Sequence, residues 1–320
     1  PAATLLHTGP GLANGVANLH NAKKAMSPIV NIVGEHATYH IAHDAPLTAD
    51  IEGIAWPVSD WVKTSDTAQS VARDGAQAIA EAKTAPGRIA TLILPADTAW
   101  NEADGVAEVP DIPPPDSASE GAVRDCADAL RSGEPCMLLL GSRALRADAL
   151  EIAGRIAVKT GADIRTEFGS ARSERGAGIV TPDRIPYVVD QALALTNDFR
   201  HMILIGAKKP VAFFAYPGKP SVLIPDTCQT HLLGAADSDV LGALEWLADE
   251  LDANDVSPVR EELVRPALGS GELTIDKIAS AIGHLMPEGC IVDDESITSG
   301  RLLHPYTKGC PPHDWLFGTG

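Results

Sequence analysis

The chain has 320 residues, enough for about two domains of ordinary size. Its 43 acidic and 25 basic side chains leave a net charge of −18, which argues against nucleic acid or an anionic membrane surface as partner. Hydrophobic residues at 45% and charged residues at 21% exclude a disordered chain, and 4% aromatics with many small side chains suit parallel α/β packing better than a β-sandwich.

Ala2–His7 reads as a short apolar strand ending in a glycine loop, Thr8-Gly9-Pro10-Gly11, with a helix expected over Leu12–Met26. A β-branched strand follows at Pro28–Gly34, then a helix over about Ala68–Lys83 and a buried strand over Arg88–Leu94. Residues 101–118 are rich in proline, which fixes φ and removes backbone donors, and read as a stiff linker. Beyond it the pattern repeats: helix Glu120–Arg131, strand Pro135–Leu140, helix Ala147–Thr160, strand Asp163–Phe168, helix Tyr187–Asn197, and strands His201–Ile205 and Ser221–Ile224. An amphipathic helix at Asp239–Leu251, with Ser238 as its cap, closes this part. After a polar break, Thr274 opens a helix to His284, a strand runs through Ile291–Asp294, and Asp314–Phe317 leads into Gly318-Thr319-Gly320. The expected fold class is α/β, with three doubly wound parallel-sheet units, the first and last incomplete. They occupy 1–105, 119–251 and 273–320, joined by linkers at 106–118 and 252–272. Residue 1 is Pro rather than Met, and the last glycine loop lacks the helix that would cover its sheet, so both ends read as cut.

Five cysteines, at 126, 136, 228, 290 and 310, form no C-x-x-C pair and are odd in number, which points to a reducing, cytoplasmic compartment. No apolar run approaches a membrane span. His36, His40 and His43 have a spacing that invites a metal, but no accompanying ligand motif is present, and Gly34 and Pro46 mark a loop. They are expected to be solvated or to line a cleft, and no metal site is expected in the chain. The Thr8–Gly11 loop is not a dinucleotide fingerprint and reads either as a ligand-approach loop or as a tight turn. His7, last in its strand, falls at the carboxyl edge where doubly wound sheets keep their sites, or else packs beneath the loop. Asp293-Asp294-Glu295, followed by Ser296, Ile297 and Thr298, is either a diphosphate cradle or a capped helix start. Gly141-Ser142-Arg143-Ala144 is a phosphate loop or a plain βα turn, and no G-x-S-x-G nucleophile elbow is present.

These segments resemble the thiamine-diphosphate enzymes, the 2-oxoacid decarboxylases and carboligases that include acetolactate synthase and benzoylformate decarboxylase. Leu6-His7-Thr8-Gly9-Pro10-Gly11 with Asn14, and Ser27-Pro28-Ile29-Val30, resemble the family's pyrimidine-binding domain. The second unit resembles its central domain, and Pro287–Ser296 through Gly320 resembles the opening of its diphosphate-binding domain. The resemblance implies thiamine diphosphate and Mg²⁺ as cofactors, with the metal ligands beyond Gly320 and the family's activating glutamate before Pro1. It implies decarboxylation of a small 2-oxo acid, the enamine then taking a proton or a second carbonyl. By residue, His7 matches the active-site histidine that transfers protons, and Asn14 a polar position near the pyrimidine. Glu295, Ser296 and Thr298 match the diphosphate segment, and Gly318 and Gly320 the loop reaching the aminopyrimidine.

Where acetolactate synthases carry Asp-Ala-Phe-Gln this chain has Asp44-Ala45-Pro46-Leu47, so Pro46 and Leu47 imply an apolar, decarboxylase-like pocket. Phe213 and Phe214 fall near the decarboxylase's second histidine and cannot move protons, which makes Phe214 a pocket wall. Gly206-Ala207-Lys208-Lys209-Pro210 replaces the flavin-holding arginine region and argues against FAD. A homodimer or homotetramer is implied. The alternatives are an arylglyoxylate (benzoylformate-type) decarboxylase and, in another class, a non-catalytic binding or assembly fragment.

Overall fold

The computed structural model describes residues 1–319. The chain divides into two compact units, residues 1–115 with Thr319, and residues 116–318.

In the first unit β1 (Ala2–His7) leads into α1 (Thr8–Lys24), β2 (Ile29–Glu35), α2 (Ile51–Ala55), β3 (Trp61–Thr64), α3 (Ala68–Lys83), β4 (Ile89–Pro95) and α4 (Ala96–Trp100). The four strands form a parallel sheet in the order β1-β2-β4-β3. Alternation of strand and helix makes that arrangement, because parallel neighbours need a crossover. Leu12, Leu19, Val33, Ile51, Ile89 and Ile93 form the core on one face, while Ala78 and Ala82 of α3 pack with Val30, Ala90 and Leu92 on the other. A polar ladder crosses this sheet. Thr4 Oγ1 donates to Asn31 Oδ1 at 2.7 Å, Asn31 Nδ2 donates to Thr91 Oγ1 at 3.1 Å, and Ser59 and Thr91 share a hydroxyl bond of 2.7 Å. Asn31 and Thr91 are fully buried, so each bond replaces one that water would make.

The first helix begins at Thr8, so the expected Thr8–Gly11 loop is its opening turn. Pro10 is tolerated there because first-turn N–H groups have no intrahelical partner to lose. The strand at Trp61–Thr64, absent from the sequence reading, takes the far edge beside β4.

The second unit contains α5 (Glu120–Arg131), β5 (Cys136–Leu140), α6 (Ala147–Thr160), β6 (Asp163–Thr166), β7 (Ser173–Arg175), β8 (Asp183–Arg184), α7 (Val189–Thr196), β9 (His201–Ile205), β10 (Gln229–Gly234) and α8 (Val240–Glu250). It continues through α9 (Ile275–Leu285), β11 (Ile291–Asp294), α10 (Leu303–Tyr306) and β12 (His313–Phe317). Its main sheet is parallel, in the order β10-β9-β5-β6-β8. Strands β5 and β9 are buried at every residue, as continuous apolar runs in a doubly covered sheet should be. Burial of a single leucine there contributes about 1.5–3 kcal/mol.

Two expectations are corrected here. The segment Ser221–Ile224 is not a strand; Val222 makes one isolated antiparallel bridge to Val211, and Gln229–Gly234 takes the position beside β9. Helix α8 is capped by Asp239, not Ser238, its carboxylate accepting from the Gly242 N–H at 3.0 Å. The third sheet, β11-β12-β7, is mixed: β11 and β12 are parallel, while β7, from the middle of the chain, pairs antiparallel with β12.

Candidate functional site

In the first unit the candidate site is the carboxyl edge of the sheet, where all four strands end. His7 is the last residue of β1, in register with Gly34 of β2, and its side chain is exposed. It is also the N-cap residue of α1, whose first turn receives no side-chain cap, so the helix start presents free N–H donors. Thr8 has φ 55°, a left-handed conformation that is strained for a β-branched residue. That bend turns strand directly into helix and holds His7 on the sheet edge. A Cβ on Gly9 would overlap the Ala49 Cβ, so the absent side chain lets the segment 44–50 lie on the helix start. Pro46 and Leu47 are carried on this segment, both exposed. Asn14 is exposed about two turns beyond His7, on nearly the same side of α1.

Three further groups stand at the same edge. The Thr38 N–H and Oγ1 donate to the Asp97 carboxylate at 2.9 and 2.6 Å, fastening the segment after β2 to α4 and lowering the Asp97 pKa. Glu35 Oε1 accepts from the His36 N–H at 2.6 Å, and His36 Nε2 is buried without a partner among the described residues. Only position, just past β2 and β4, marks Glu35 and Asp97, and neither carries a motif. His36, His40 and His43 stack ring by ring, with centroids 5.6 and 5.7 Å apart. Among the described residues no group of three His, Cys, Asp or Glu side chains is arranged to hold a metal.

The second unit holds the remaining candidates. Glu295, Ser296 and Thr298 follow β11, and Glu295 and Thr298 are exposed. The Ser296 N–H and hydroxyl both donate to Asp294, at 3.0 and 2.5 Å, so the hydroxyl is already engaged within the turn. Gly318, exposed, follows β12; Gly169 lies against its carbonyl and against the Phe317 ring. From Phe317 an aromatic run passes through Phe168, Tyr187 and Phe213 to Phe214, with centroid separations of 5.3, 4.9, 5.7 and 4.8 Å. The structure thus joins Phe214 and Gly318 through one aromatic edge, and Phe214 remains 60% exposed. Gly320 lies outside the described residues. At the carboxyl edge of the main sheet the half-buried Glu167 carboxylate accepts from the Lys208 N–H at 2.9 Å and fills the space beside Gly141. Burial pushes its pKa up.

Residues 1–54 match the thiamine pyrophosphate enzyme, N-terminal TPP binding domain. Over its whole length the chain is 47% identical to a candidate acetolactate synthase large subunit, IlvX, of Mycobacterium tuberculosis, and it spans 61% of that protein. The chain is thus similar to the thiamine-diphosphate enzymes, most directly in its first 54 residues. Solved thiamine-diphosphate-dependent enzymes share its fold. A candidate thiamin diphosphate-dependent enzyme of Mycobacterium smegmatis superposes with TM-score 0.81 at 20% identity, covering 100% of this chain and 65% of that one. The thiamine diphosphate-dependent 4-hydroxybenzoylformate decarboxylase of Rhodococcus jostii RHA1 does so with TM-score 0.78 at 21% identity, covering 99% and 64%. At these identities the superpositions show the fold alone.

Thiamine diphosphate has two ends, and the candidate residues differ in what they could offer to each. For the pyrimidine, the exposed His7 and Asn14 and the uncapped start of α1 offer polar groups along one open edge. For the diphosphate, the turn after β11 offers Thr298 and backbone donors. Among the described residues it offers no ligand set for a divalent cation. Among the described residues no helix is long and apolar enough to cross a membrane.

Proposed function

We propose that the chain is part of a thiamine-diphosphate-dependent enzyme that decarboxylates a small 2-oxo acid and then protonates the product or joins it to a second carbonyl compound, as an acetolactate synthase does. In this reading 1–105 belongs to the pyrimidine-binding domain and 273–320 opens the diphosphate-binding domain. The observation that carries it is His7, held exposed on the carboxyl edge of β1 inside the segment that matches the cofactor-binding domain. When bound, thiamine diphosphate supplies a carbanion that adds to the ketone and accepts the electron pair released with carbon dioxide. His7 moves a proton at its imidazole. Asn14 orients a polar edge from α1, while Pro46 and Leu47 give the substrate's side an apolar, water-poor surface. Thr298 would hold the diphosphate end beside Glu295 and the turn that Ser296 closes on Asp294, and Mg²⁺ would supply the charge that neutralises it. Flavin has no part in this reading, because Gly206-Ala207-Lys208-Lys209-Pro210 replaces the arginine region implied to hold it.

An arylglyoxylate substrate is the second reading, favoured by the exposed rings of Phe213 and Phe214 and by the apolar Leu47. The active protein is proposed to be a homodimer or homotetramer. The test is carbon dioxide release by the complete protein, supplied with thiamine diphosphate and Mg²⁺, across a panel of aliphatic and aryl 2-oxo acids. Release from at least one is expected, and its chain type separates the two readings. No release, together with no calorimetric heat on adding millimolar cofactor, overturns both.

A further inference from the structure

Strand β7 carries Arg175, which is only 1% exposed. A guanidinium removed from water needs either a counter-charge or a full set of acceptors. Arg175 has one acceptor, the His304 carbonyl, at 2.6 Å from Nη2; its Nε and Nη1 are buried with no partner among the described residues. The guanidinium lies over the Trp315 ring, 4.9 Å from the centroid. A second cation, Arg184, stands 4.7 Å over Phe317 and 5.9 Å over Trp315. The acidic neighbours are engaged elsewhere. Glu174 accepts from the Ala147 N–H at 2.7 Å and lies 4.0 Å from Arg172. Asp183 pairs with Arg165 and Lys308 at 3.8 and 3.3 Å, Glu261 pairs with Lys308 at 3.2 Å, and Asp294 accepts from Ser296. Burial, together with Arg175 and Arg184, keeps the His304 imidazole well below its usual range.

Both arginines, with Glu174, Ser170, Ser173 and Thr181, line a cavity of about 10 Å³. That is room for one sphere of roughly water size. Positive charge, the Ser170 and Ser173 hydroxyls and unpartnered N–H groups converge there, while Glu174 is engaged by the Ala147 N–H and Asp183 and Glu261 by other cations. We propose that this cavity binds a monatomic inorganic anion of chloride size, which neutralises Arg175 and Arg184 and fastens β7 to β12.

The decisive experiment is anomalous diffraction at the bromine edge from crystals of the protein soaked in sodium bromide. An anomalous peak within hydrogen-bond distance of Arg175 Nε or Nη1 is the expected result; a cavity holding water alone, or bromide found only at surface lysines, overturns the proposal. In solution, replacing gluconate by chloride at constant ionic strength should stabilise the fold. At ten times Kd the folding equilibrium moves about 11-fold. Arg175→Gln removes the principal donor and could fail to fold, so Arg184→Gln is the second variant. It should lose most of the chloride effect, and an undiminished effect in that variant overturns the assignment.

Discussion

At His7 the backbone matters as much as the ring. The left-handed Thr8 that follows it is strained by an order of 1–3 kcal/mol, and this bend keeps the imidazole at the sheet edge. In the complete enzyme His7→Ala is expected to slow 2-oxo acid turnover about 10²–10⁴-fold, read from kcat; an unchanged rate removes its role as proton carrier. His313 presents the opposite case, a histidine kept neutral by its surroundings. It is 4% exposed, its Nδ1 donates to the Pro311 carbonyl at 2.8 Å, and Nε2 is buried without a partner among the described residues. Burial lowers its pKa, and the neighbouring Arg175 adds to that effect. A histidine with a folded pKa below its unfolded value of about 6.5 contributes stability that is full above that pH and is lost as pH falls. The urea midpoint should therefore decline on acidification below about pH 6.5, and His313→Gln should flatten the slope. Equal slopes in the two proteins would contradict this origin.

At the scale of elements, helix ends show where sequence pattern suffices. Helices α5 and α6 run over the residues expected from their periodicity, and Ser119 caps α5 by accepting from the Ala122 N–H. Asp239 does the same for α8, so Asp239→Ala is expected to destabilise the protein by about 1 kcal/mol, visible as a shift in urea midpoint. Thr274 sits at the N-cap position of α9, but its hydroxyl turns to the Asp276 carboxylate at 3.0 Å. The parallel α/β layers were legible because apolar runs such as Met137–Leu140 and Met202–Ile205 are bounded by Gly and Pro. Strand β10 was not: Gln229-Thr230-His231 has no apolar alternation and joins the sheet because β9 offers it an open edge. The start of α1 was hidden for the opposite reason, since Gly9-Pro10-Gly11 is turn chemistry at a helix's first positions. Of the candidate site, His7 could be placed at a strand end from sequence. The tie of Ser296 to Asp294, the Thr38–Asp97 clasp and the pairing of β7 with β12 arise between residues that no local pattern connects.

For the molecule as a whole, the ladder Thr4–Asn31–Thr91–Ser59 runs through β1, β2 and β4 to a serine just ahead of β3. Replacing Asn31 with Val leaves the Thr4 and Thr91 hydroxyls short of a partner, an expected loss of about 1–3 kcal/mol in urea unfolding. No loss would contradict this contribution of the ladder to stability. The greater consequence concerns errors that apolar patterning cannot detect. A strand displaced by one residue exposes its apolar side chains and is rejected, but a displacement of two returns every side chain to its own face and looks identical to the hydrophobic core. Only a unique set of hydrogen-bonding atoms, spaced once along each strand, can tell those two alignments apart, so this sheet carries its own proofreading in four side chains.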